Sequence, residues 1–287
     1  MDVDGDGRAD IGVFRPSTAQ WVGLSSSSSY TKSASVTWGG ASSIPVPGDY
    51  DGDGLTDPAV YFAATGQWWI LYSSSGYTTN SGGVPWGGGV VIPVPGDYDG
   101  DGKTDPAIYF PATGQWWILY SSTGYRTNSG PVSWGGGSAI PVPGDYDGDG
   151  KTDPAVYFPD TGQWWILYSS TGYRSNNGGV SWGFGTAIPV PGDYDGDGKT
   201  DLAAYFPITG QWWILYSSTG YTTNNGGIAW GGGDAIPVPD DYDGDGKTDV
   251  AVYFPSVGQW WLLYSSTGQT TNSGPISLGT STDVPLH

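Results

Sequence analysis

Residues 145–153 read Asp-Tyr-Asp-Gly-Asp-Gly-Lys-Thr-Asp, and the same nine residues stand at 97–105, 193–201 and 241–249. Near-copies occur at 49–57 (DYDGDGLTD) and 2–10 (DVDGDGRAD). Six copies with four Asp each hold 24 of the 28 acidic residues in this 287-residue chain, and no Glu occurs anywhere. The formal charge of −19 is therefore concentrated in one repeated device and is not spread over the surface. A chain with only nine Lys and Arg lacks the basic stripe that nucleic acid or an anionic membrane requires.

The first Asp of each copy falls at 2, 49, 97, 145, 193 and 241, so the period is 47 residues once and 48 thereafter. Joined head to tail, the chain would complete six whole repeats, with Val284-Pro285-Leu286-His287 in the register of Ile44-Pro45-Val46-Pro47. The whole sequence, 1–287, therefore reads as a single domain. A whole number of repeats suits a closed ring better than an open stack, which needs atypical caps. Within the repeat 92–139, IPVPGDY leads into the acidic loop, followed by DPAIYF, the turn PATG, QWWILYSS, a second turn, and a polar stretch ending in VSW before GGGSA. No segment has helical periodicity, and four short strands divided by Gly and Pro turns fit the spacing. The predicted fold is all-β: a six-bladed β-propeller with four-stranded blades. The offset between repeat and chain end predicts that 283–287 pairs with three strands drawn from 10–38, tying both ends into one sheet and leaving no free edge.

In the acidic loop, carboxylates at positions 1, 3 and 5 converge when the chain curls, and Gly148 and Gly150 allow the curl. Position 9 supplies a fourth carboxylate, and position 7, which varies among Arg, Leu and Lys, offers its carbonyl. The predicted ligand sets are Asp2, Asp4, Asp6, Arg8 and Asp10; Asp49, Asp51, Asp53, Leu55 and Asp57; and Asp97, Asp99, Asp101, Lys103 and Asp105. The remaining three are Asp145, Asp147, Asp149, Lys151 and Asp153; Asp193, Asp195, Asp197, Lys199 and Asp201; and Asp241, Asp243, Asp245, Lys247 and Asp249. Oxygen ligands in such number favour Ca²⁺, about six ions per chain. The position-12 acid of an EF-hand is absent, since Val60, Ile108 or Val156 stands there. The alternative is an acidic turn without metal, which close packing of four like charges opposes.

The pattern D-x-D-G-D-G-x-x-D followed at once by a strand such as PAVYF resembles the calcium-binding FG-GAP/VCBS-type repeats. That resemblance covers the chain six times over. It implies an integrin-like propeller with a calcium loop between the first two strands of each blade, although such rings usually have seven blades. It also implies an extracellular setting, secreted or at a cell surface, and it identifies the scaffold better than the ligand, with adhesion as one use of such a scaffold. The N-terminal MDVDGDG carries no secretory leader, and no apolar run reaches membrane-spanning length. With no Cys, the chain needs no disulfide, and neither redox compartment is excluded.

Sixteen Trp recur in two settings. The pair in QWW reads as core filling between blades. The tryptophan before each glycine-rich loop lies at a strand end, and the meander puts that loop on the disc face opposite the acidic loops. Gln67 with Trp86, Gln115 with Trp134, Gln163 with Trp182, and Gln211 with Trp230 would then form repeated aromatic-plus-amide sites of the kind that grip sugars. Catalysis finds little support: the lone His287 is terminal, and the absence of Cys and Glu excludes Cys/His pairs and His/Cys zinc sites. The expectation is a monomeric, non-enzymatic binding module for glycan or a cell-surface protein. A purely structural calcium-rigidified scaffold is the alternative, and a polysaccharide-active enzyme the more remote one.

Overall fold

The computed structural model describes all residues 1–287. Six separate four-stranded sheets are present, each an antiparallel meander. The second blade is typical, with strands Ile44–Pro45, Ala59–Phe62, Gln67–Ile70 and Val84–Pro85. The third repeats the plan at Ile92–Pro93, Ala107–Phe110, Gln115–Ile118 and Val132–Ser133, and further blades begin at Ile140, Ile188 and Ile236. The first blade is composite. Val284–Leu286 pairs with Ile11–Arg15 (Gly12 opposite Leu286, Phe14 opposite Val284), and Gln20–Leu24 and Ser33–Thr37 follow. The predicted closure by the two chain ends is thus observed.

The middle strands are short runs of aromatic and branched residues because both of their faces are covered by neighbouring blades. Along Gln67–Ile70, Trp68 and Ile70 are fully buried against the next blade, packing with Ile108 and Leu119. Trp69 points the other way, is half-buried, and packs against the cluster that includes Phe14 and Trp21 of the preceding blade. Alternation along one strand therefore fills two interfaces. Within the blade, the Trp68 ring lies 5.2 Å from that of Tyr61, and its Nε1 donates to the Trp86 carbonyl at 2.9 Å. The sixth blade meets the first through one cluster containing Ala9, Ile11, Val238, Tyr253 and Trp260, which closes the ring.

Candidate functional site

Each acidic loop is folded by its own carboxylates. Asp49 accepts from the amides of Gly52 (2.6 Å) and Gly54 (2.8 Å), whose φ values of +82° and +85° any other residue would resist. Asp53 accepts from the Leu55 amide at 2.9 Å. The Ser73–Ser75 turn then clamps the loop from outside: Ser74 Oγ donates to Asp51 Oδ2 at 2.6 Å and Ser73 Oγ to Asp53 Oδ1 at 3.0 Å. Acidic loop and serine turn share one side of the disc, as the meander requires. Carboxylate oxygens of Asp49, Asp51 and Asp53 lie within 4.8 Å of one another, as do those of Asp2, Asp4 and Asp6, of Asp97, Asp99 and Asp101, and of Asp193, Asp195 and Asp197. In the loop at 145–153 the grouped residues are Asp145, Asp147 and Asp153.

One atom tests whether these residues fit a cation. Oδ1 of Asp51, Asp99, Asp147 and Asp195 is buried and accepts no hydrogen bond. A shielded carboxylate oxygen without a donor is costly unless positive charge faces it. The same position-3 atom is orphaned in four equivalent loops, each of which gathers three carboxylates. The donor set fits a hard divalent ion held by oxygen.

Position 9 has a second duty. Asp57 is fully buried, and its two oxygens accept from the amides of Ser73 (2.7 Å) and Tyr50 (2.9 Å). Burial raises its carboxyl, and it lifts the equivalent Asp105, Asp153 and Asp201 to about 6 and Asp249 to about 7. Position 7 also does more than offer a carbonyl. The side chains of Lys103, Lys151, Lys199, Lys247, Arg8 and Leu55 each lie over the position-4 glycine of the preceding loop, so a Cβ added to Gly52 would meet the Lys103 chain at 2.9 Å. Adjacent loops are joined by backbone as well. The position-8 amide donates to the position-1 carbonyl of the loop before it: Thr56 to Asp2, Thr104 to Asp49, Thr152 to Asp97, Thr200 to Asp145, Thr248 to Asp193, and Ala9 to Asp241, all at 2.6–2.7 Å. The six bonds form a closed hoop.

On the other side of the disc, the turn before QWW packs on the glycine-rich loop, where a Cβ on Gly66 would come within 2.5 Å of the Gly87 carbonyl oxygen. The tryptophans that precede these loops are half-buried and reach into the next blade. Nε1 of Trp38, Trp86, Trp134, Trp182 and Trp230 donates to the carbonyl of Trp69, Trp117, Trp165, Trp213 and Trp261 at 2.9–3.1 Å. The two rings of each pair meet edge to face at 6.2–6.5 Å. Five interfaces carry this indole pair; between the sixth and first blades Leu278 and Val22 stand in its place.

Beside the pairs lie clefts. One of about 540 Å³ is lined by Trp38, Phe62, Gln67, Trp69 and Asn80, and one of about 420 Å³ by Trp230, Phe254, Gln259, Trp261 and Asn272. A third, also about 420 Å³, holds Trp182, Phe184, Phe206, Trp213 and Asn224. Gln67 and Trp86 belong to one blade, but the cleft that takes Gln67 holds Trp69 of that blade and Trp38 from across the interface, and not Trp86. Gln163 and Gln211 accept from Nε1 of Trp165 and Trp213, both at 3.3 Å, while Gln115 holds the same strand position, half-buried. Sequence reasoning missed the serine clamp, whose signal is a Ser-Ser pair beginning 16 residues after the last Asp in every repeat. It also missed that the amide and the indole of a cleft come from adjacent repeats.

Residues 2–60 match the FG-GAP-like repeat family. The chain is a six-bladed propeller, and its first repeat is FG-GAP-like. Among curated protein sequences none matches it. Similar solved structures include an Agrocybe aegerita lectin described as recognising non-reducing terminal N-acetylglucosamine, at 12% identity and TM-score 0.59 over 98% of this chain and 77% of that one. A streptogramin B lyase aligns at 9% identity and TM-score 0.55 over 94% of this chain and 83% of its own. BBS1N in complex with ARL6DN aligns at 12% and TM-score 0.50, with 93% and 77% covered. At these identities the likeness is one of fold. No helix of this propeller is long and apolar enough to cross a membrane.

Proposed function

We propose that this propeller is a calcium-stabilised extracellular binding module whose inter-blade clefts recognise carbohydrate. The observation that carries the reading is the recurrence of one cleft type, an edge-to-face indole pair beside side-chain amides, at three of the interfaces. Aromatic faces match the apolar faces of sugar rings and amides match their hydroxyls, and the cleft volumes fall within the roughly 300–1,000 Å³ of small-molecule sites. One shallow cleft binds weakly, but several on one rigid disc raise the effective concentration for a polymer or a cell surface. In this reading the acidic loops are structural. Asp at positions 1, 3, 5 and 9, with the position-7 carbonyl, would hold Ca²⁺, and six divalent ions would bring the formal charge from −19 to −19 + 12 = −7. The disc acts as a monomer and performs no chemistry on its ligand.

The test is a glycan array probed with the wild type and with a variant carrying Gln67, Gln115, Gln163, Gln211 and Gln259 all changed to Ala. The expected result is retention of a glycan or polysaccharide by the wild type, loss in the variant, and unchanged melting. A second reading, a purely structural scaffold, is favoured by the indole N–H groups, which are engaged in joining blades. Absence of any retained glycan, with both proteins equally stable, would decide for it.

A further inference from the structure

The interface between the first and second blades differs from the others on the acidic-loop side. In the second blade Tyr50 and Ile70 are both buried, and they pack with Leu119 and Tyr125 of the third. The Tyr50 hydroxyl donates to the Val46 carbonyl at 2.9 Å. The pattern repeats where Tyr98, Tyr146, Tyr194 and Tyr242 donate to Val94, Val142, Val190 and Val238 at 2.7–2.8 Å. In the first blade the register puts Val3 where the tyrosine stands and Gly23 where the isoleucine stands. The backbone is unchanged there: the Val3 amide donates to Asp10 as the Tyr50 amide donates to Asp57. A phenol ring and a branched alkyl chain are therefore missing from an otherwise equivalent interface. The Leu286 carbonyl, which replaces that of Val46, has no tyrosine hydroxyl to meet it.

The space persists. A cavity of about 80 Å³ lies there, lined by Val3, Trp21, Gly23, Val36, Tyr77 and Leu286 among others. Part of the remaining room is taken by the Met1 side chain, which lies where a Cβ on Gly12 would be. Methionine is unbranched and repacks readily, so its displacement widens the hollow toward the roughly 150 Å³ that accommodates benzene. The lining is mainly apolar, and the hollow opens on one side to solvent, which gives a ligand a way in.

We propose that this cavity is a binding site for a small para-alkylphenol, a ligand that replaces the tyrosine side chain buried at the sister interfaces. The ring occupies the space beside Val3 and Gly23, and its hydroxyl donates to the Leu286 carbonyl. The site borders the first acidic loop, since Val3 lies between Asp2 and Asp4 and its amide donates to Asp10, and it is separate from the clefts on the other side of the disc. A ligand of this size binds with Kd of about 1 mM.

The test uses p-cresol as the probe on the whole chain with calcium present. At ten times that Kd, the expected rise in melting temperature is about 3 °C. Amide NMR shifts should be confined to Gly23, Val36, Thr56 and their neighbours. The variant Val3→Tyr/Gly23→Ile refills the space, and a Cβ at Gly23 meets nothing closer than 3.7 Å. This variant should melt above the wild type and show no response to p-cresol. Gly23→Ile alone takes its place if the double variant does not fold. No shift in the wild type, or an equal shift in the filled variant, overturns the proposal.

Discussion

The two sides of the disc follow different rules. On the acidic side, positions 1, 3, 4, 5, 6 and 9 are the same residue in all six loops. On the cleft side the corresponding loops read WGGAS, WGGGV, WGGGS, WGFGT, WGGGD and LGTST, and the turns before the QW pair vary as freely. Large apolar residues are almost wholly exposed only here: Val90 88%, Ile208 81%, Phe184 71% and Val257 62%. A carboxylate cluster works only with every oxygen in place, so nothing in it can drift. The cleft side is held by backbone contacts such as Gly66 on Gly87 and by indole N–H bonds, which leave the loop tips free to differ. The constant side joins each loop to its neighbours by backbone bonds and a serine clamp, and the variable side is where one cleft can differ from the next.

Removing metal should give the largest effect. Binding to the folded state alone contributes about 2.7 kcal/mol per site at 100 times Kd, so EDTA should lower the melting temperature by more than about 10 °C. Indifference to EDTA in calorimetry would erase the distinction between the two sides. Next comes Trp164→Ala, in the core between them, where loss of a fully buried indole should cost about 3–5 kcal/mol by denaturant titration. Asp147→Ala should remove one ion, so native mass spectrometry should count five against the six expected of the wild type. Its stability loss should be about one site's share, 2–3 kcal/mol. Loss of more than one ion would show that the loops do not bind independently.

Proton linkage provides a smaller, signed test. In metal-free protein the folded-state values of Asp105, Asp153, Asp201 and Asp249 are raised to about 6 or 7, above the ordinary 3.8. The folded state then binds more protons than the unfolded state between these values, so stability should rise as pH falls from about 7 to about 4. With calcium present, protons compete with the ion and the slope should reverse. Smallest is Phe184→Ser on a loop tip: a stability change within about 0.5 kcal/mol, with altered retention on whichever glycan the wild type binds.

Much of this was legible in the sequence because the repeat is its own alignment. Six acidic motifs, their spacing and the four-residue fragment at the C-terminus suffice to deduce blade number and closure. The Asp-x-Asp-Gly-Asp pattern reveals its own convergence, since all of its partners lie within nine residues. The cleft does not: Gln67 meets Trp38 through the twist of one blade against another, and no spacing along the chain encodes that contact. The seam cavity was hidden for a different reason. Val3 and Gly23 are unremarkable letters, and the loss becomes visible only when the volume of Tyr50 and Ile70 is seen in place.

The hoop of backbone bonds joining the six loops has a consequence in the statistics of unfolding. In a linear array the end units have one neighbour and fray first. Here every loop has two neighbours, and the boundary is periodic. Lifting any one loop breaks two bonds at once, and no position on the circle offers a cheaper place to begin.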